Sequence, residues 1–253
     1  MDQDFLSKNM LKTRLIPVLI LRDGRVVQSV KFKHTNVIHY NPANMTKFFN
    51  DWEADEIVCL DVSREKNNKF LNVFRALADE LFIPLTAGGW IETIDDIRHL
   101  LKIGADKIVI NTQAFRKPEF ITAASKKFGS QCIVVSIDSK DGKVVIDKGR
   151  EITNTDTIEW AMQANKLGAG ELFINDIDHD GNRQGYNLEL MKSIVDSVNC
   201  PVIAFGGVFT WQHIVDGYNV GADALAAANI FHYTEHSTIK AKRFMLENNI
   251  SVR

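Results

Sequence analysis

Short, almost purely apolar runs recur along the chain, and between them apolar residues return every three or four positions. The runs are RLIPVLIL (14–21), EIVCLDV (56–62), IPLTA (83–87), KIVINT (107–112), CIVVSID (132–138), ELFIND (171–176), PVIAF (201–205) and ALAAAN (224–229). Most are rich in Val, Ile and Leu without polar alternation, which is how strands covered on both faces read. The stretches between them, among them MTKFFNDW, FLNVFRALADEL, TIDDIRHLLKIG, PEFITAASKKFG, DTIEWAMQANKLG, NLELMKSIVDSV and TWQHIVDGYNVG, carry a helical period. Several close on a glycine, the common residue just past a helix: Gly104, Gly129, Gly168 and Gly221. With the C-terminal TIKAKRFMLENN, this alternation predicts a (β/α)8 barrel, an α/β fold in one domain over residues 1–253. A doubly wound open sheet is the structural alternative. No Pro- or Ser-rich linker and no shift in composition marks a boundary. Met10 offers a second start, and residues 1–9 read as a loose extension.

The chain repeats itself. RDGRVV, from Arg22, returns as KDGKVV, from Lys140, each after an apolar run. FIPLTAGGW (82–90) is echoed by CPVIAFGGV (200–208), GADKIVINT (104–112) by GADALAAAN (221–229), and ADEIVCLDV (54–62) by AGELFINDI (169–177). The matches keep their order at nearly constant offset, so strands one to four map onto strands five to eight. Coincidence supplies one hexapeptide but not four in register. The expectation is two half-barrels, about 10–128 and 129–253.

Composition narrows the classes. Hydrophobic residues make up 45% and charged residues 25%, ordinary for a globular protein. A net charge of −2, with Lys and Arg dispersed, argues against an electrostatic nucleic-acid binder. No apolar run is long enough to span a membrane, and the acidic N-terminus is unlike a signal peptide. Cys59, Cys132 and Cys200 are widely spaced within apolar runs. They read as buried free thiols in a reducing cytosol rather than a disulfide or metal site. The reading invokes no metal and no cofactor.

In such a barrel the chemistry sits at the C-terminal strand ends. There the sequence places Asp138, Gly88-Gly89, Asn111-Thr112, Asp176 to Gly181, Gly206-Gly207 and Ala228-Asn229. A Gly-Gly pair straight after a buried strand lets backbone N–H groups reach an anion with no Cβ in the way. Helix starts follow in TIDD and TWQH, which suits a phosphate. One such pair is as readily a plain tight turn. Two pairs related by the repeat predict two phosphate sites across the mouth, hence an elongated bis-phosphate. Gly88, Gly89, Asn111 and Thr112 would frame one site, and Asp180, Gly181, Gly206, Gly207, Ala228 and Asn229 the other.

The motifs DGRVV, GADKIVINT, FGSQ (128–131), IDHDG (177–181) followed by Gly185-Tyr186, and GADALAAA with Phe231-His232 resemble those of the cyclase subunit of imidazole glycerol phosphate synthase, from Met10 to Arg253. The resemblance implies a barrel that receives ammonia from a partner glutaminase. With it, that family cleaves and cyclises a bis-phosphorylated aminoimidazole-carboxamide precursor, using two opposed aspartates that end strands one and five as acid and base. Asp138 holds the strand-five place, but the strand-one aspartate is Ile20 here. The expected lysine after DGRVV is Gln28, the third glycine of the strand-three turn is Trp90, and the serine before Gly206-Gly207 is Phe205. Asn229 replaces a further serine at the second phosphate site.

The opposite end matches more closely. Arg14, Glu56, Lys107 and Glu171 each begin a strand, and charged residues commonly flank buried strands. All four, however, match the charged ring that gates the ammonia passage in that family. Asp106 and Gln131 match positions on its glutaminase-docking face. The implied protein is a cytoplasmic paralogue that passes glutaminase-derived ammonia to a different acceptor, a sugar destined for surface polysaccharide. The alternatives are a working cyclase of histidine biosynthesis that recruits another acid such as Asp176, or a scaffold that only activates the glutaminase. The related pathway isomerase is a more distant alternative, because it too would want two opposed aspartates.

Overall fold

A computed structural model describes residues 12–253; of His34, Thr35, Ala43, Asn44, Thr46 and Lys47 it describes the backbone alone. The expectation for residues 1–9 falls outside them. Parallel strands β1 (Arg14–Arg22), β4 (Ile57–Asp61), β5 (Leu85–Gly88), β6 (Lys107–Ile110), β7 (Ile133–Lys140), β10 (Glu171–Asp176), β11 (Val202–Phe205) and β12 (Ala224–Ala227) follow one another around a sheet. That sheet closes on itself, because β12 pairs with β1 from Arg14↔Ala224 and β10 pairs with β7 from Glu171↔Val134. The fold is a closed (β/α)8 barrel, which disposes of the open-sheet alternative.

Closure explains the unalternating strands. Residues turned inward, including Ile16, Val18, Val58, Val109, Val134, Phe173, Ile203, Ala224 and Ala226, form a separate barrel-interior cluster. Their neighbours turned outward, such as Leu15, Leu19, Ile57, Ile108 and Leu172, pack under the helices. Each strand therefore buries both faces. Helix Ile94–Lys102 shows how the surrounding layer is built. Thr93 and Asp96 cap its start reciprocally, and Ile97 and Leu100 face the sheet. The chain ends are knitted together: Thr13 pairs with Val252, and the Lys242 ammonium holds the Asp55 carboxylate at 2.7 Å and the Arg253 carbonyl at 3.0 Å.

The repeated Asp-Gly motif has a structural counterpart that the apolar pattern alone did not reveal. β1 turns back into β2 (Arg25–Val30), which pairs with β3 (Lys33–His39); β7 turns back into β8 (Lys143–Ile146), which pairs with β9 (Glu151–Asp156). The tight turns are Asp23-Gly24 (φ 51 and 77) and Asp141-Gly142 (φ 50 and 72). Two successive left-handed residues are the geometry that joins twisted antiparallel strands, and Asp-Gly adopts it cheaply. Equivalent hairpins rise from strands one and five, as a duplicated half-barrel requires. Their tips meet over the barrel, where a Cβ on Gly149 would lie 2.6 Å from the Phe32 ring.

Candidate functional site

The C-terminal strand ends open into two adjoining cavities of about 770 and 290 Å³. Gln28, Asp180 and Phe205 line both and form the partition. The larger takes Ile20, Gly89, Trp90, Asn111, Thr112 and Asp138; the smaller takes Gly181, Gly206, Gly207, Ala228 and Asn229. Most residues expected at each site line a separate cavity, but Asp180 lines both and Gly88 lines neither. Gly88 lies within β5, where a Cβ would press on Leu60 and Val109 at 2.8 and 2.9 Å, so its role is close packing rather than lining the mouth.

Asp138 ends the inward face of β7 and is buried. Asn111 donates to its Oδ2 at 2.7 Å. Burial pushes the carboxyl up to about 7 despite hydrogen bonds from Asn175 and Asn111, and Asp180 adds to the rise. Ile20 belongs to the apolar barrel-interior cluster with Val18, Val27 and Phe205. One proton-carrying group of the expected pair is thus present and the other is hydrocarbon. Asp176 lines neither cavity; its carboxylate receives Asn187 Nδ2 and the Asp178 N–H and organises the loop that follows. The acid beside the vacated place is Asp61, which pairs in register with Leu21 and lines the larger cavity. Burial raises its carboxyl, opposed by the Ser63 hydroxyl and N–H that bond it.

Asp180 has a duty that its place in IDHDG did not disclose. Its carboxylate accepts from Ser29 Oγ at 2.7 Å and the Phe32 N–H at 3.1 Å, and its carbonyl accepts the Lys31 N–H at 3.0 Å. It therefore pins the tip of the β2–β3 hairpin across the mouth. The two helix starts differ. At TIDD the Asp96 carboxylate accepts the Glu92 and Thr93 N–H groups and the Thr93 hydroxyl accepts the Asp96 N–H, so that helix start is capped by the protein's own side chains. At Thr210 no side chain caps the helix Trp211–Asn219.

Sequence reasoning missed the cations of the mouth. Arg22, Arg64, Lys148 and Arg150 line the larger cavity, and Arg183, its guanidinium 4.6 Å from the Phe209 ring, lines the smaller. Lys148 and Arg150 sit in the β8–β9 turn, Arg22 ends β1, and Arg64 and Arg183 lie in the loops after β4 and β10, so no linear motif flags them. Trp90, in the place of a third glycine, adopts a left-handed φ of 55 and presents its ring to the Lys148 ammonium at 3.2 Å.

At the other end of the barrel the four strand-start charges converge. Glu56 takes Arg14 at 2.7 Å and Lys107 at 2.8 Å; Glu171 takes Arg14 at 2.8 Å and Lys107 at 3.1 Å. The ring is closed, with alternating signs. Thr86 Oγ1 adds a bond to Glu56 at 2.7 Å. Burial alone would raise the Glu56 carboxyl, but Lys107 and Arg14 outweigh it and hold it below its usual range. Asp106 is exposed and already receives the Leu85 N–H at 2.8 Å, a task its repeat mate Asp223 performs for Val202 at 2.9 Å. Gln131 is exposed on the same face.

The molecule is thus a duplicated TIM barrel with its candidate site at the strand C-termini and a sealed ring of charges at the strand N-termini. Residues 14–237 match the family described as "Histidine biosynthesis protein", and the chain belongs to that family.

Proposed function

We propose that the barrel takes ammonia from a glutaminase docked on its N-terminal face and delivers it to the mouth, serving the amidation of a sugar for surface polysaccharide rather than imidazole ring closure. The observation that carries this reading is the closed Arg14–Glu56–Lys107–Glu171 ring. Buried ion pairs cost desolvation that a packed apolar plug would avoid, so four of them across a barrel entrance favour a task over mere stability. Ammonia is small and neutral; a ring that parts locally admits it, and the apolar interior beyond, with Val18, Val58 and Ala226, gives it a dry route. Phe82, 92% exposed in the loop before β5, belongs to the same strand-start end as Asp106 and Gln131 and offers an apolar contact to a docked partner. Ile20 supports the departure from ring closure, since an isoleucine carries no proton.

A working cyclase is the second reading, and Asp61 is the observation that favours it. It stands one strand away from Ile20 in the same cavity as Asp138. The two readings separate in one assay. The cognate glutaminase is purified with and without this protein, and glutamate release is followed beside turnover of the bis-phosphate precursor with ammonium. The proposal expects stimulated glutamine hydrolysis and near-background cyclisation. Ordinary cyclase rates would move the protein to the second reading, and absence of any binding glutaminase would remove the first.

A further inference from the structure

Two histidines that the mouth does not use meet beside it. His39 ends β3, in register with Val26 of β2, and His232 lies in the short helix Asn229–Tyr233 that follows β12. Their ring centres are 5.7 Å apart, with 52° between the planes. His39 Nε2 and His232 Nδ1 are both buried, and neither has a hydrogen-bond partner. His232 donates to the Val18 carbonyl of β1. That bond leaves through Nε2, since Nδ1 has no partner, so Nδ1 is the bare lone pair of a neutral ring. Burial lowers both imidazoles, His232 to about 4, with His39 beside it adding to the fall. Both rings are therefore neutral at pH 7.

An imidazole with one nitrogen on a backbone carbonyl and the other bare is in the state in which histidine binds a metal. A buried nitrogen without a partner costs free energy, and here there are two. The pair does not relieve itself, because neither nitrogen bonds the other. A proton is no remedy either, since burial disfavours the charged ring. A cation with affinity for imidazole satisfies both lone pairs at once. Zinc sits about 2.0–2.1 Å from an imidazole nitrogen, which places two rings on one ion roughly 5 Å apart between centres. The observed 5.7 Å needs only a small side-chain adjustment. Phe49 packs edge-on against His232 at 6.4 Å and walls the pair from the core. Among the described residues no set of three or more His, Cys, Asp or Glu is placed to hold a metal, so the ion keeps water in its other positions.

We propose that His39 and His232 bind one divalent ion of the zinc class, which clasps the β2–β3 hairpin to the helix Asn229–Tyr233. Asn229, Ile230 and Tyr233 of that helix and Gln28 of β2 line the smaller cavity, so the clasp fixes two walls of the candidate site against each other. The inference goes beyond the ammonia reading and rests on no part of it.

The test uses the full chain, stripped with a chelator and titrated calorimetrically with zinc chloride at pH 7. One ion per chain should bind. His39→Ala and His232→Ala should each lower the affinity at least about tenfold, the least that loss of even an outer-shell partner costs. His99→Ala, exposed on the helix Ile94–Lys102, should change nothing. Cobalt serves as the coloured stand-in: His39→Cys should bind it with a thiolate charge-transfer band that the wild type lacks, a signature that packing alone cannot produce. Zinc should raise the melting temperature of the wild type and leave the double alanine variant where it was. Thermal melting of each metal-free variant shows that it folds. Should His232→Ala fail to fold, His39→Ala and His39→Cys, at a half-buried strand end, carry the test. Absence of zinc binding, or binding indifferent to the folded variants, overturns the proposal. No glutaminase enters the assay, so a failure of ammonia coupling leaves this result untouched, and the reverse holds too.

Discussion

Asp138→Asn should make the protein more stable, and the gain should depend on pH in a defined direction. Burial raises the Asp138 carboxyl to about 7, whereas an unfolded aspartate ionises near pH 3.9. The folded state thus holds the proton more tightly than the unfolded state. Well below the unfolded pKa of about 3.9 both states are protonated and nothing is lost. As pH rises toward 7 the unfolded chain releases its proton first, and stability falls. Above about 7 the full cost of an ionised buried carboxylate is present, about 4 kcal/mol from a displacement of three units at 1.36 kcal/mol each. Asparagine keeps the shape and can still accept from Asn111 Nδ2. Scanning calorimetry of both proteins from pH 4.5 to 8.5 should show melting temperatures within a few degrees of each other at the acid end, where only about 1 kcal/mol has been lost. At pH 8 they should diverge by roughly 10 °C in favour of the variant, at about 2–4 °C per kcal/mol for a chain of this size. Titrations common to both proteins cancel in the difference. A pH-independent gap, or a variant less stable at pH 8, would refute the reasoning, because it would mean that the folded mouth stabilises the carboxylate.

Glu56→Gln leaves Arg14 and Lys107 to share Glu171, and breaking one member of a buried ion network costs about 3–5 kcal/mol. Its melting temperature should fall near pH 7, and the deficit should shrink in acid as the wild-type carboxyl, held below its usual range, finally protonates. An unchanged melting temperature would mean the ring is not formed. Ile20→Asp restores a carboxyl opposite Asp138 and should raise ammonium-dependent cyclisation of the bis-phosphate precursor from near background, by up to about 10²–10⁴-fold where the mouth admits the substrate; a wild type already working at ordinary cyclase rates sinks that argument. Gly149→Val sets a Cβ against the Phe32 ring at a φ of 84, so it should part the hairpin tips. Amide exchange at Ser29 to Phe32 would report this, and unaltered protection there would count against tip-to-tip closure.

The barrel was legible because closure imposes the same demand on every strand. A stave buried on both faces cannot alternate, and all eight apolar runs became staves. The internal repeat was legible for a related reason: Asp-Gly turns and Gly-Gly loops are backbone requirements that survive in the letters. The hairpins β2–β3 and β8–β9 escaped notice. Stretches such as RVVQSV and EITNTD are short and partly exposed, and β9 shows little burial contrast to impose a pattern. The mouth cations escaped with them, since Lys148 reaches Trp90 only through the β8–β9 turn. The charged ring was found through the resemblance, because any one strand-start charge reads as ordinary. The self-capped helix at TIDD misled in the other direction: the letters that start a helix well also occupy the N–H groups a phosphate would use.

The central claim is that ammonia travels through the barrel. Its most direct test is a reconstitution of glutaminase, this protein and an enzyme that activates the acceptor sugar for amidation, with amide-labelled ¹⁵N-glutamine and an excess of unlabelled ammonium in solution. The account predicts amidated product carrying the ¹⁵N label with the wild-type barrel. With Lys107→Met or Glu171→Ala the label should be diluted by bulk ammonium while glutamate release continues. Label lost to the bulk pool even with the wild-type ring intact would contradict passage through the barrel.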